Sequence, residues 1–188
     1  MKILVFSDSH TDVAAMLKAA GREKADVIFH LGDHLNDALE LQKQVDIPVY
    51  YVAGNTDEAA EDLYEKFLTI GGKCFLLIHG HQLQLIGKDI VSQSLDDIFA
   101  YAKKGGADII LFGHTHEPFM RGIYKDEGNN HFTRKWLFNP GSIKPTARIY
   151  CKESDQWLER NVKSSYGLIY LNDDTDDIRF EIIDVDLK

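Results

Sequence analysis

The 188-residue chain is 44% hydrophobic and 27% charged, the proportions of a globular protein and not of a disordered or fibrous one. Its 21 Lys plus Arg against 30 Asp plus Glu leave a net charge of −9, which argues against laying DNA, RNA or an anionic membrane along its surface. Two cysteines, Cys74 and Cys151, make no disulfide framework, and no apolar run forms a signal peptide or reaches the roughly 18–20 residues of a membrane span, so a cytoplasmic protein is expected.

Lys2–Phe6 is a short apolar run followed by polar residues and predicts a buried strand. Val13, Met16, Leu17 and Ala20 share one helical face, and Gly21 predicts the end of that helix. Val27–Leu31 predicts a second strand, Ala38, Leu41 and Val45 a second helix, and Pro48–Ala53 a third strand. This β-α-β-α-β order implies a parallel sheet with right-handed crossovers. Gly71-Gly72 between Phe67–Ile70 and Lys73–Ile78 is a hairpin signal. A helix is predicted over Ser94–Lys104 and a strand over Asp108–Phe112. Antiparallel strands follow near Phe119–Tyr124, His131–Phe138, Tyr166–Leu171 and Ile178–Val185. Pro145–Ser165 is polar and predicts an exposed, partly helical excursion that shapes substrate access or an oligomer contact. No boundary would let either half fold alone, so residues 1–188 are expected to form a single domain.

Polar residues collect just past the C-terminal ends of five strands. They are Asp8 and His10, then Asp33, then Asn55, then His79, and finally His114 with His116. That edge is where ligands bind in open α/β sheets. In extended chain, residues two apart point the same way, so each i, i+2 pair can reach one site. Oxygen and imidazole donors without thiolate suit Mn²⁺, Fe or Zn²⁺ better than a cysteine-based structural zinc. Seven donors exceed one four-coordinate ion and suit two, with a carboxylate between them. Singly, each has a blander reading: Asp8 as a cap, Asn55 as a turn residue, His114 as a surface imidazole. His30 lies within an apolar strand and is expected in the core or a network, and His34 in a supporting place beside Asp33.

The segments Asp8-Ser9-His10, Gly32-Asp33-His34, Gly54-Asn55-Thr56-Asp57, His79-Gly80-His81, Gly113-His114-Thr115-His116 and Asn139-Pro140-Gly141-Ser142 together resemble the calcineurin-like metallophosphoesterases. The closest likeness is to their small phosphodiesterase branch in bacteria and archaea. The resemblance implies an α/β fold, a four-layer α/β/β/α sandwich with two mixed sheets flanked by helices. It also implies two divalent ions per chain, Mn²⁺ first, with Ni²⁺, Zn²⁺, Fe and Mg²⁺ as alternatives. Asp8, His10, Asp33 and His116 would hold one ion, and Asp33, Asn55, His79 and His114 the other. The implied reaction is hydrolysis of a small phosphodiester by a hydroxide bridging the two ions. Many family members carry a His after the motif Asn; here Thr56 stands there. His81 is the substitute acid, with Asp57 in support, and Asn55, His81 and Ser142 would line the substrate side.

Three other readings compete: a non-catalytic scaffold like the retromer subunit of this fold, a nuclease, and a phosphomonoesterase. A nucleic acid polymer conflicts with the acidic surface, and a homo-oligomer is allowed. Two divalent ions would outweigh Asp8 and Asp33. They would make a positive pocket in an acidic molecule, open to a small phosphodiester though not to a long polyanion.

Overall fold

The computed structural model describes residues 1–83, 106–126, 132–151, 156–172 and 177–185. The helix expected over Ser94–Lys104 lies outside the described residues. The fold is an α/β sandwich of two mixed, five-stranded sheets. The first runs β12(Ile178–Asp184), β11(Ser165–Leu171), β1(Lys2–Phe6), β2(Val27–His30), β3(Val49–Tyr51). The second runs β4(Glu65–Ile70), β5(Lys73–Ile78), β6(Ile109–Leu111), β8(Phe132–Asn139), β7(Phe119–Asp126). Strands β1, β2 and β3 are parallel to one another, as are β5, β6 and β8, and the remaining pairs are antiparallel.

The layers follow from which face each strand buries. Val5, Phe29 and Ile169 from the first sheet meet Phe75, Leu77, Leu111 and Phe138 from the second in one buried cluster. Leu4, Phe6, Ile28 and Leu168 point the other way and pack against Met16 and Leu41 of helices α1(Val13–Glu23) and α2(Leu35–Gln44). The outer face of the second sheet has its own buried set, which includes Leu76, Ile78, Ile110 and Leu137.

Three elements differ from expectation. Helix α1 does not stop at Gly21 but runs to Glu23, closed by Lys24 in the left-handed region with its N–H on the Ala20 carbonyl. A helical Gly costs only about 1 kcal/mol against Ala, and this last turn is tied from outside. Lys2 Nζ donates to the Glu23 carbonyl at 2.7 Å and the Tyr166 hydroxyl to Glu23 Oε1 at 2.6 Å. Helix α2 ends before Val45, which is extended and packs on the same cluster as the helices. The excursion is not helical: β9(Thr146–Cys151) and β10(Gln156–Asn161) pair antiparallel as a separate two-stranded sheet. The Gly71-Gly72 turn stands as expected, both residues at positive φ, closing the Ile70 and Lys73 pair. No helix among the described residues is long and apolar enough to cross a membrane.

Candidate metal centre

The strands β1, β2, β3, β5 and β6 all end at one edge, where loops from both sheets meet. Asp8 N donates to the Gly32 carbonyl at 3.1 Å, and Gly113 N to the His79 carbonyl at 2.8 Å. His79 Nδ1 reaches across from the second sheet to the Leu31 carbonyl of the first, at 2.8 Å. Here the backbone takes a conformation that side-chain-bearing residues avoid. Asp8, His10, Asp33, His114 and His116 all have positive φ, between 42° and 66°. Asp and His tolerate this region better than most residues, and each instance still costs about 1–2 kcal/mol. Such strain gathers at sites whose geometry is imposed by their surroundings.

Ligand-type atoms of Asp8, His10, Asp33 and His116 all lie within 4.8 Å of one another. Within this group His116 Nε2 is 3.1 Å from Asp8 Oδ1, and His10 Nε2 is 3.3 Å from His116 Nε2 and 3.8 Å from Asp33 Oδ2. A second group adjoins it: His79 Nε2 lies 3.2 Å from Asp33 Oδ1 and 3.1 Å from Asn55 Oδ1. The His114 ring stands 5.2 Å from that of His79, and its backbone N–H donates to Asp8 Oδ2 at 3.2 Å. Asp33 therefore presents one oxygen to each group.

The chemistry of these contacts asks for cations. A carbonyl only accepts, so His79 Nδ1 carries the hydrogen donated to Leu31, and Nε2 is the ring atom turned toward the Asp33 and Asn55 oxygens. Acceptors so close need a positive charge between them, a proton or a metal ion. Asp8 Oδ1 is buried with no donor aligned on it in hydrogen-bond geometry. Burial works to raise the Asp8 carboxyl, yet the imidazoles of His116 and His79 and the Ser7 hydroxyl overcome it and hold the group well below the usual carboxylate range. Burial opposes protonation of His116, and Asp8 outweighs it, so that ring is raised. His114 is pushed down to about 4, by burial first and then by His79. His10 and His81 are lowered mainly by burial. Neutral imidazoles and ionised carboxylates are the forms that ligate metals.

The remaining expected residues fall in different places. His81 follows β5 in a 3₁₀ turn at the rim, its ring 5.5 Å from His79 and 5.6 Å from Tyr64. Both Asp57 oxygens are committed to backbone donors, Leu35 N at 2.8 Å and Gly54 N at 2.9 Å. Asp57 thereby caps α2, whose first flanking residue, His34, supplies no side-chain cap. Ser142, expected to face substrate, is fully buried, and its single hydroxyl proton is within reach of the Asp8 and Lys144 carbonyls. His34 turns its ring to within 5.1 Å of His10.

Three residues support the ligand loops; Asn139 and Lys144 were not singled out from the sequence, whereas His30 is in the buried network expected of it. Asn139 Nδ2 donates at 3.0 Å to the Gly113 carbonyl and to Thr115 Oγ1, pinning the loop that carries His114 and His116. Lys144 Nζ donates to the His10 carbonyl at 2.9 Å. His30 is fully buried and accepts the Gly32 N–H at Nδ1, so Nε2 donates to Ser9 Oγ, which donates to Asp37. Asp37 also accepts the Thr11 N–H at 2.7 Å, so this chain shapes the Asp8–His10 loop. Only the position of Asn139 in a motif hinted at its role, and nothing marked Lys144.

Residues 1–152 match the calcineurin-like phosphoesterase superfamily domain. The chain is 31% identical to the probable metallophosphoesterase YsnB of Bacillus subtilis (strain 168), over 96% of this chain and 90% of that one. Its fold is similar to that of a conserved, predicted phosphoesterase from Streptococcus pneumoniae TIGR4, at TM-score 0.66 and 24% identity, covering 98% and 90% of the two chains. It is also similar to wild-type Vps29 of Entamoeba histolytica, complexed with zinc, at TM-score 0.63 and 22% identity, covering 98% and 99%.

Proposed function

The chain belongs to the calcineurin-like phosphoesterase superfamily, and from that premise we propose that it is a phosphodiesterase acting on small phosphodiesters with two divalent ions. The observation that carries this is the placement of Asp33. Its Oδ1 faces His79 and its Oδ2 faces His10, so one carboxylate serves two donor groups. Asp8, His10, Asp33 and His116 would hold one ion; Asp33, Asn55, His79 and His114 would hold the other. Mn²⁺ suits this oxygen and imidazole set, as do Ni²⁺, Zn²⁺, Fe and Mg²⁺.

Bound ions supply an acidic water and a clamp on phosphate oxygens. The chain supplies the positioning. Thr56 N donates to Asp33 Oδ1 at 3.2 Å and fixes the shared carboxylate. The Leu31 carbonyl fixes the tautomer of His79. His81 is the imidazole at the rim that can hold a proton for the leaving alkoxide, in the place of the absent His after Asn55. Asp57 supports it indirectly, by bracing the Gly54–Asp57 loop. Thr56 is no acid near pH 7, which favours diesters with good leaving groups.

The test is hydrolysis of an aryl phosphodiester with each metal in turn, alongside metal analysis of the purified protein. The expected result is chelator-sensitive turnover and two ions per chain, with both lost in Asp33→Ala. Unchanged turnover in that variant would sink the proposal. The likeness to Vps29 favours one other reading, a scaffold of the same fold. It predicts no turnover with any of these metals, whether or not the protein takes them up.

A further inference from the structure

We infer that Lys144 is a positioning residue that holds His10 in its ligand geometry, and that through it the root of the β9–β10 hairpin bears on the metal centre. The inference rests on the two-ion reading above. Three consecutive residues after β8 each hold one carbonyl of the loop after β1. Ile143 N donates to Ser7 O at 3.2 Å, Ser142 Oγ to Asp8 O at 2.9 Å, and Lys144 Nζ to His10 O at 2.9 Å. The first two bonds hold parts of the loop that are already fully buried. The third holds the strained part, because His10 and Thr11 lie at φ 42° and 76° in succession.

His10, like His114 and His116, has a ring that no backbone group among the described residues fixes. The His79 ring is fixed by the Leu31 carbonyl, and Asp33 and Asp8 each accept a backbone N–H. Among the described residues, the one hydrogen-bond partner of the His10 ring is His116, itself a candidate ligand. The aim of that imidazole is therefore set by its main chain, and an ammonium on the His10 carbonyl is a charge-assisted bond that favours the left-handed turn. Lys144 immediately precedes Pro145, whose carbonyl accepts the Val162 N–H at 2.9 Å and closes the base of the hairpin. A displacement of the hairpin root would reach His10 through this one side chain.

The test is Lys144→Met, which keeps the aliphatic stem and removes the donor. Mn²⁺ titration of the metal-free protein by calorimetry reads the two ions separately, without turnover. We expect one ion to bind about tenfold more weakly and the other as in wild type, the range for loss of a group that orients a ligand. Turnover should fall at limiting Mn²⁺, recover at saturating Mn²⁺ and show an unchanged KM. Lys144→Arg, which can still donate to the carbonyl, should restore the affinity. Unchanged affinity for both ions in Lys144→Met would overturn the inference, as would a raised KM with normal metal binding, which would make Lys144 a substrate contact. If Lys144→Met does not fold, Lys144→Leu, which also removes the donor, carries the same comparison. Failure of wild type to take up two ions would instead defeat the two-ion reading itself.

Discussion

Gly54→Ala is a severe test of the site because it adds a single carbon and replaces no candidate ligand. A Cβ at Gly54 would fall on Asp33 Oδ1 and on the Asp33 backbone nitrogen, and 2.9 Å from Asp33 Cα. Ordinary carbon contacts are about 3.5–4.0 Å, so the carboxylate must retreat by about 1 Å. Backbone on the other side leaves nothing flexible to give way. Overpacking of this kind costs about 1–3 kcal/mol of stability. A misplacement of about 1 Å at a catalytic group costs on the order of 10²-fold in rate, equivalent to about 2.7 kcal/mol of barrier. Steady-state hydrolysis of an aryl phosphodiester at saturating Mn²⁺ and metal analysis of the same samples provide the measurement. Turnover should drop by about two decades, with weaker retention of both ions, because Asp33 faces both donor groups. Wild-type turnover with two retained ions would refute the role of Asp33 as the shared ligand.

Three further outcomes are expected. Gly21→Ala lies in α1 with nothing within 4 Å of the added carbon, so it should raise stability by about 0.5–1 kcal/mol in urea denaturation and leave activity unchanged. Asp57→Asn replaces one of two oxygens accepting the Leu35 and Gly54 N–H groups with a donor; it should cost about 1–3 kcal/mol, read by denaturation, with metal stoichiometry intact. His30, pushed down to about 4 by burial, stays neutral in the folded metal-free protein while the unfolded chain takes up its proton near pH 6.5. Protons in that window favour the unfolded state, so stability falls as pH drops from about 6.5 to 4, by roughly 3 kcal/mol at most for this group. Denaturation of chelator-treated His30→Gln across the window should show a shallower fall; an identical slope would exclude His30 as a contributor.

The ligand-bearing edge was legible because alternating strands and loops put Asp8, Asp33, Asn55, His79 and His114 at strand ends, whatever the details of packing. Strand β1, buried from Ile3 to Phe6, reads as an apolar run for the same reason. What was not legible depends on contacts made at a distance. The last turn of α1 is held by Lys2 and Tyr166, which lie on other elements. The capping duty of Asp57 depends on α2 beginning beside it, and nothing local to Gly54–Asp57 announces that. Ser142 belongs to a recognisable motif, but whether its hydroxyl faces a pocket or a carbonyl is decided by the loop after β1. The hairpin β9–β10 was missed because its two strands mix charged and apolar residues without the clean alternation of a sheet resting on a core.

The position of β1 has a consequence for how the chain acquires this fold. Strand β1 is the middle strand of its sheet, paired on one side with β2, some twenty residues away, and on the other with the much later β11, with Ile3 opposite Ile169. A nascent chain that has emerged only through residue 164 holds β1 with one bare edge. It also lacks Ile169, Leu171 and Phe180 from the cluster between the sheets. The first sheet is thus finished last, by contacts of high sequence separation, which are slow to form. Until the β11–β12 hairpin arrives, Leu4 and Val5 offer an unpaired apolar strand to any neighbouring chain, so recovery of the protein during synthesis depends on how quickly residues 165–184 dock against residues 2–6.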